Sequence, residues 1–505
     1  PLDDYRPGDV IIVNDPWLLA GHLNDVCVLS PIFYKDRPVA FTACVFHHSD
    51  IGGRVSSDNR EVFEEGLFIP RVKLYDAGVL NKDVLEMIRW NVRTPEEVTG
   101  DIRSQVAANH VCGQKIIEMM ADEELDSLEG LADEIIHRTE LSMRQAIAMI
   151  PDGVYPYEGV IEGAGERDDI NICLTVAVKD SDIRVDFSNT SLQVNWGVNV
   201  VYNFTYAYVF MAIKSVFDPD LPINEGAIRP VTMTAPEGSV VNCSFPAAVA
   251  ARMQVGHFMT EMVFRALSTA VPDRIISDSG GTPAQTNIFY GKRHDGKPFH
   301  TMIIRGGGLG ASRSKDGHQC AIFPANGANT PIEILESDTP LMVLARELIC
   351  DSGGAGNKRG GLGRRMCIRV PDDAFAPEAP VAIAVQAGRF RYPPNGIFGG
   401  KHGNKARFLK NDLPGDPSGL TFCSPGDTIE FQSAGGGGFG SPLERDISAV
   451  ERDVNYGYVS IEKAQNDYGV VIDETSLKAD GNATRRLRAS MRKSRTLPEV
   501  SGGEK

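Results

Sequence analysis

Gly21-His22-Leu23-Asn24-Asp25 and His47-His48-Ser49-Asp50-Ile51-Gly52-Gly53 bring imidazoles and carboxylates close together inside an otherwise apolar part of the chain. Between them, Val26 to Phe33 and Pro38 to Phe46 are rich in β-branched, aromatic and small apolar residues, with the polar turn Tyr34-Lys35-Asp36-Arg37 separating them. This pattern predicts a β-hairpin. His22 and Asp25 then sit just before the first strand and His47 at the end of the second, so all three reach one edge of a sheet. Alternation sorts the second strand into Phe41, Ala43, Val45 and His47 on one face and Thr42, Cys44, Phe46 and His48 on the other. Only one of the two adjacent histidines can therefore face a given ligand, and His47 is taken as that one.

Neutral imidazole and carboxylate are ligands for zinc, manganese and ferrous iron, and two histidines with one carboxylate leave coordination positions open to water or substrate. Such a set points to a catalytic divalent metal at His22, Asp25 and His47. Asp50, on the loop that follows, is either a fourth ligand or a partner that orients an imidazole. Asp50 and His48 are also the candidates for proton transfer. The competing reading is that histidine and aspartate around a turn satisfy backbone groups, as His-x-x-Asp does in many unrelated chains.

These residues carry a family resemblance. Asn14-Asp15-Pro16-Trp17, Gly21 to Val26, His47 to Gly53 and Glu65-Gly66-Leu67-Phe68-Ile69-Pro70 resemble the opening motifs of the hydantoinase B/5-oxoprolinase family. Gly100 to Gln105, Asn326 to Glu333, Asp351 to Gly356, Arg359 to Gly363 and Gly435 to Asp446 resemble later motifs in the family's order, so the likeness spans nearly the whole chain. The resemblance implies the B-type subunit of an ATP-dependent enzyme that opens cyclic amides or, as the alternative, carboxylates ketones such as acetone and acetophenone. It also implies a hetero-oligomer in which an A-type subunit holds ATP and magnesium and phosphorylates the substrate, while the B-type subunit holds zinc, manganese or iron. The related ligand set of two histidines and one aspartate maps onto His22, Asp25 and His47. A third reading makes the metal structural and leaves the chemistry to the partner. Family members carry a segment ahead of the Asn-Asp-Pro motif, where this sequence has only a few residues.

Composition sets bounds around this reading. A chain of 505 residues with 42% hydrophobic and 23% charged residues is ordinary for a globular protein of two or three domains. A formal charge of −16 argues against nucleic acid or an anionic membrane as partner. Nine cysteines, an odd number with no Cys-x-x-Cys pair, read as reduced thiols in a cytoplasm. No apolar run approaches the ~20 residues of a membrane span.

The expected fold class is α+β, in five stretches. Residues 1–93 form a strand-rich metal-site region, and 94–152 a helical layer in which Thr94 and Pro95 open the helix and Ile102, Val106, Ile116, Ile117 and Met120 recur at helical spacing. His110 and His137 are read as structural there. Residues 153–270 are mixed, with strands at Ile170 to Val178 and Ile183 to Phe187, a buried helix at Tyr202 to Phe217 and another at Glu261 to Thr269. Arg252 and His257, polar in apolar company, are minor functional candidates with a structural role preferred. Residues 271–475 are glycine-rich and mostly β, with short helices at Ile447 to Val450 and Ile461 to Tyr468. None of the glycine loops has the Lys-Ser or Lys-Thr of a P-loop, so tight packing is preferred over phosphate binding and the nucleotide is assigned elsewhere. Arg305, Arg313 and His318 are the choices for cationic contacts to a phosphorylated intermediate. Residues 476–505 are a basic tail, read as a solvated helix or frayed end, or alternatively as an electrostatic dock for a partner.

Overall fold

The computed structural model describes residues 5–163, 167–417 and 419–495 and is a mixed α+β fold. The expected hairpin is its first landmark. Strands β1 (Val10–Val13), β2 (Asp25–Tyr34), β3 (Arg37–His47), β4 (Val72–Asp76) and β5 (Val79–Leu80) form a sheet in the order β3-β2-β1-β4-β5. β2 and β3 run antiparallel from Tyr34 opposite Arg37 to Asp25 opposite His47. Lys35 and Asp36 make the turn at φ 49° and 62°, the left-handed pair that suits the twist of a tight hairpin.

Three helices follow: α1 (Lys82–Asn91), α2 (Pro95–Asp122) and α3 (Glu129–Ala148). The expected helical run is broken after Asp122, where Glu124 takes φ 52°. α2 lies across the hairpin and is pinned to it by polar side chains. Gln105 Nε2 donates to the carbonyls of Val26 and Cys44, each at 2.9 Å, and Asn109 Nδ2 donates to that of Val28 at 2.8 Å.

A second sheet contains β6 (Gly153–Ile161), β7 (Ile170–Lys179), β8 (Asp182–Asp186) and, parallel to β8, β9 (Val231–Thr234). Ile170, Ile172, Leu174, Val176 and Val178 line its buried face at the period of two that a half-covered strand requires. Helices α4 (Tyr202–Phe217), α5 (Glu225–Ile228), α6 (Met253–Gly256) and α7 (Phe258–Ala266) complete this part, and one hydrophobic core joins both sheets to the helices through Ile12, Val28, Ile102, Val176, Ile213 and Val263.

Beyond this lie β10 (Gln285–Lys292), β11 (Pro298–Arg305), α8 (Ile332–Asp338), β12 (Met342–Leu348), β13 (Arg364–Arg369), β14 (Val381–Gln386), β15 (Arg407–Lys410), β16 (Leu413–Pro414), β17 (Leu420–Cys423) and β18 (Thr428–Gln432). Two sheets, β11-β10-β14-β17 and β12-β13-β18-β15-β16, share a core of Phe289, Ile303, Ile368, Ile383 and Phe431. The glycine loops stack backbone on backbone at one end. A Cβ on Gly308 would stand 1.9 Å from the Gly361 carbonyl oxygen, and one on Gly436 would stand 2.1 Å from that of Leu309. These glycines are there for close approach, and their amides are used on neighbouring loops: Gly361 N donates to Leu309 O, and Gly436 N to Gly361 O.

Helices α9 (Ile447–Asn455), α10 (Ile461–Tyr468) and α11 (Gly481–Arg495) close the chain. α11 is part of the basic stretch and packs inward, with Arg488 donating to the carbonyls of Tyr468 and Arg445 at 2.9 and 2.8 Å. Residues 496–505 of the expected tail, and 1–4, lie outside the described residues. Among the described residues no helix is long and apolar enough to cross a membrane.

Candidate metal centre

The hairpin register places Asp25 directly opposite His47, and the turn before β2 folds His22 back onto both. His47 Nδ1 lies 2.9 Å from Asp25 Oδ1, His22 Nε2 lies 3.0 Å from the same oxygen, and the two ring nitrogens are 3.1 Å apart. Ligand atoms held by bonds of about 2.0–2.1 Å at roughly 90–109° stand about 2.9–3.3 Å apart, so the triangle fits a divalent cation in both donor type and spacing. His22 is buried, Asp25 nearly so, and His47 keeps 38% of its side chain exposed, which opens the group on that side.

The turn is held by side chains that answer its backbone. Asn14 Nδ2 donates to the carbonyls of Leu23 and Leu67 at 2.7 and 2.9 Å while its Oδ1 accepts from Ile69 N. Asn24 Nδ2 donates to His48 O at 2.9 Å, and His48 N returns a bond to Asn24 O at 2.8 Å. Gly21 takes φ 94°, and a Cβ there would meet Arg252 Cδ at 2.9 Å.

That arginine has a larger part than its sequence context suggests. Arg252 is buried over the Phe204 ring, donates from Nη2 to Asp25 Oδ2 at 2.8 Å and from Nε to Ala20 O at 2.9 Å. It thus takes one carboxylate oxygen and leaves the other to face the imidazoles. Burial, together with the Arg252 charge, pushes His22 down to about 3, which keeps the ring neutral as a ligand must be. Burial alone would raise Asp25, but the Arg252 guanidinium beside it holds it well below the usual carboxylate range. His22 Nδ1 is buried with no hydrogen-bond partner among the described residues, so a proton there leaves Nε2 free to donate its lone pair.

A further carboxyl supports the arginine. Glu65 Oε1 accepts from the amides of Val249 and Ala250 at 2.6 and 2.8 Å, fixing the loop that carries Arg252, and burial pushes Glu65 up to about 8. The signal in the sequence is the apolar run Ala247 to Ala251 leading into a lone arginine, but its partner Asp25 lies 227 positions away. His257, the other minor candidate, is buried between Tyr208 and Ala284: its Nε2 lies 3.0 Å from the Tyr208 hydroxyl and its Nδ1 accepts from Ala284 N at 3.1 Å.

His48 and Asp50 are placed differently from the three. His48 turns to the α2 face of the strand, where its Nε2 lies 3.1 Å from Gln105 Oε1 and burial lowers its pKa. Asp50 is buried and accepts from Arg93 Nη1 at 2.7 Å, from the Arg93 amide and from Gly52 N. Neither side chain bonds to His22, Asp25 or His47. Of the cationic candidates, Arg313 is exposed and paired with Asp273 at 2.6 Å, His318 is exposed, and Arg305 is buried.

With this geometry in place, comparison with known proteins is decisive for the family: the description Hydantoinase B/oxoprolinase matches residues 2–442. The chain belongs to that family. Among hydantoinase B relatives, the chain is 32% identical over 511 residues to a putative D-/L-hydantoinase subunit from a Pseudomonas species, covering 96% of this chain and 84% of that one. It superposes on the crystal structure of the ATP-dependent caprolactamase from Pseudomonas jessenii with a TM-score of 0.87 at 28% identity, over 96% of this chain and 86% of that one. The nucleotide-free structure of acetone carboxylase gives a TM-score of 0.86 at 21% identity over 98% of this chain and 73% of that one, a likeness of fold.

Proposed function

We propose that this hydantoinase B chain is the metal-holding B-type subunit of an ATP-dependent cyclic-amide hydrolase, acting on a substrate phosphorylated at an A-type partner subunit. The observation that carries the reading is the convergence of His22, Asp25 and His47 at an exposed edge with Asp25 anchored by Arg252. Bound there, zinc, manganese or iron supplies Lewis-acid polarisation or activation of water. The residues of the chain do the rest. Arg252 fixes the direction of the Asp25 carboxylate, the buried His22 stays neutral, and His47 gives the site its open side. His48 and Asp50, offered by the sequence for proton transfer, act in this proposal through position: His48 locks the end of β3 to α2, and Asp50 ties the following loop to Arg93.

The exposed apolar side chains of β3 also support a partner nearby. β3 is the edge strand of its sheet, and Phe41, Val45 and Phe46 are 38%, 51% and 45% exposed along the approach to His47. Sheet edges with exposed apolar side chains are surfaces that proteins cover. The hydrolase reading is preferred to ketone carboxylation because the relatives at 28–32% identity are named as a hydantoinase subunit and a caprolactamase, whereas those named as acetophenone and acetone carboxylases are 24% and 21% identical.

The test is elemental analysis of wild type and His47→Ala, followed by turnover of hydantoins, lactams and 5-oxoproline with ATP and the A-type partner, with and without bicarbonate. About one metal per chain, lost in the variant together with turnover while the complex still assembles, is the expected result. Turnover only with bicarbonate moves the assignment to a carboxylase, and loss of assembly in place of turnover makes the metal structural.

A further inference from the structure

Six arginines are buried among the described residues: Arg252, Arg305, Arg359, Arg364, Arg389 and Arg445. Four of them face carboxylates. Arg252 pairs with Asp25, Arg359 with Asp453, Arg389 with Glu261, and Arg445 with both Asp316 and Asp453. Arg305 and Arg364, 2% and 4% exposed, have no carboxylate of the described residues within ion-pair distance, and they lie together. Taking a charge out of water without a counter-charge costs several kcal/mol, and proteins answer it with a partner or a ligand.

The fold explains how the two meet. Phe299, Ile303 and Arg305 are the buried positions of β11, and Arg364, Met366 and Ile368 line the matching buried face of β13, so both arginines occupy the last inward positions of the two sheets that share one core. They are at the same end. Gly306 to Gly308 follow Arg305, Gly360 to Gly363 precede Arg364, and these loops touch through Gly308 and Gly361. Ser433 Oγ donates to Gly306 O at 2.9 Å and accepts from Arg364 N at 3.0 Å, clamping the two sides.

What the guanidiniums touch is neutral. Arg305 lies 4.4 Å over the Phe431 ring and donates to Asn287 Oδ1 at 3.4 Å; turning the Asn287 amide over brings its oxygen to 2.8 Å from Nε. Arg364 Nη1 donates to Asn329 Oδ1 at 2.5 Å. Arg346, half-buried, donates to the neighbouring Thr330 O at 2.8 Å and adds a third positive charge with no ion-pair partner among the described residues. Asn329 and Thr330 are themselves half-buried, and residues 325 to 328 beside them are exposed, so this cluster borders the surface.

We propose that the Arg305–Arg364 end of the C-terminal sandwich binds a small oxyanion, a phosphate group or a carboxylate, with Arg346 contributing to its field. Two planar forks set at the same end of two sheets that share one core suit an oxyanion that accepts from both. Burial, with the Arg364 charge beside it, pushes Arg305 well below its ordinary value, and burial brings Arg364 down to about 10, with Cys320 opposing that shift and Arg346 adding to it. An anion removes that repulsion. The site involves none of the metal-binding residues and stands whether or not the hydrolase reading does.

Calorimetric titration and thermal unfolding of the full chain with sodium phosphate, sodium acetate and sodium chloride at matched ionic strength test it. Saturable heat and a saturable rise in Tm with phosphate identify a phosphate site, and the same with acetate alone a carboxylate site; chloride gives neither. Arg305→Met keeps the stem over Phe431 but removes the charge, so it should abolish the saturable rise while melting no lower than wild type without added anion. If that variant does not fold, Arg305→Lys keeps the charge and loses the fork, and should weaken the anion at least about tenfold. No saturable response above chloride in wild type, or an unchanged response in the folded variants, overturns the proposal.

Discussion

Arg252 and Arg305 are buried to a similar degree, and each lies over a phenyl ring, Phe204 at 4.6 Å and Phe431 at 4.4 Å. One faces Asp25 and the other faces no carboxylate among the described residues. The difference follows from how the two regions are built. Around the candidate metal site, side chains reach across from other elements, Asn14, Asn24, Glu65 and Gln105 among them, and one carboxylate can be delivered wherever a charge needs it. At the end of the C-terminal sandwich the adjoining loops are glycine packed on glycine, and a loop without side chains brings no counter-charge. A region made by side chains is tuned electrostatically from within, whereas a region made by backbone is rigid and leaves its charges to be answered from outside.

The sharpest way to break this contrast is to give the glycine stack a side chain. Gly308→Ala sets a methyl group 1.9 Å from the Gly361 carbonyl oxygen, backbone against backbone, with no side chain able to swing away. The expected loss is above about 4 kcal/mol, at the exceptional end for single substitutions. Urea unfolding, or the yield of folded chain, reads it. A loss below about 1 kcal/mol would show that these loops yield and are not rigid.

Next comes Asp25→Ala, which turns Arg252 into a second Arg305. Removing the carboxylate leaves a buried guanidinium unpaired, at about 3–5 kcal/mol, and removes a proposed metal ligand as well. Denaturant unfolding of metal-stripped wild type and variant separates the first effect from the second. An unchanged stability of the stripped protein would mean that buried arginines in this chain need no counter-charge, and the case for an anion at Arg305 would weaken with it.

These two regions are also unequally legible in the sequence. The hairpin is plain because runs of β-branched, aromatic and small apolar residues around a polar turn are local signals, and with its register comes the meeting of Asp25 and His47. The helix over Tyr202–Phe217 is plain from an equally local signal, residues apolar almost all round it. Arg252 can be suspected but not placed, because its partner is far away in the chain and no periodicity links them. In the glycine-rich half, composition correctly suggests close packing, but which loop touches which depends on contacts between distant turns. Arg305 stands out for its charge beside Gly306-Gly307-Gly308; that Arg364 lies next to it and that no acid does are facts of tertiary structure.

A smaller effect is expected at Arg252 itself. Arg252→Met keeps a stem against Gly21 and Phe204 but frees Asp25 Oδ2, so the carboxylate loses its fixed direction. Loss of a residue that orients a ligand weakens metal affinity by about 10–100-fold. Competition with a chromogenic chelator measures this, and Arg252→Lys, which can restore a charge near Asp25 without the fork to Ala20 O, should recover part of it. Equal affinities in all three proteins would reduce Arg252 to a packing residue.

The finest test asks whether Asp25 alone answers Arg252 or shares that work with Glu65. Burial pushes Glu65 up from its ordinary 4.5 to about 8, which means that near neutral pH the folded chain holds a proton there that the unfolded chain has lost. Below pH 4.5 both states are protonated and this group is neutral to stability. Between 4.5 and about 8 the folded state binds more protons, so its contribution falls as pH rises, by up to about 1.4 kcal/mol per pH unit, and above 8 it levels off. Glu65→Gln preserves an Oε1 acceptor for the amides of Val249 and Ala250 and cannot titrate. Unfolding free energies at pH 5.5, 6.5 and 7.5 should therefore fall less steeply in the variant than in wild type. Parallel slopes would mean that Glu65 is ionised in the fold, and Arg252 would then have two counter-charges where Arg305 has none; the diverging slopes expected here leave Asp25 as its single partner, so that the carboxylate shared with His22 and His47 is also the one on which the buried arginine depends.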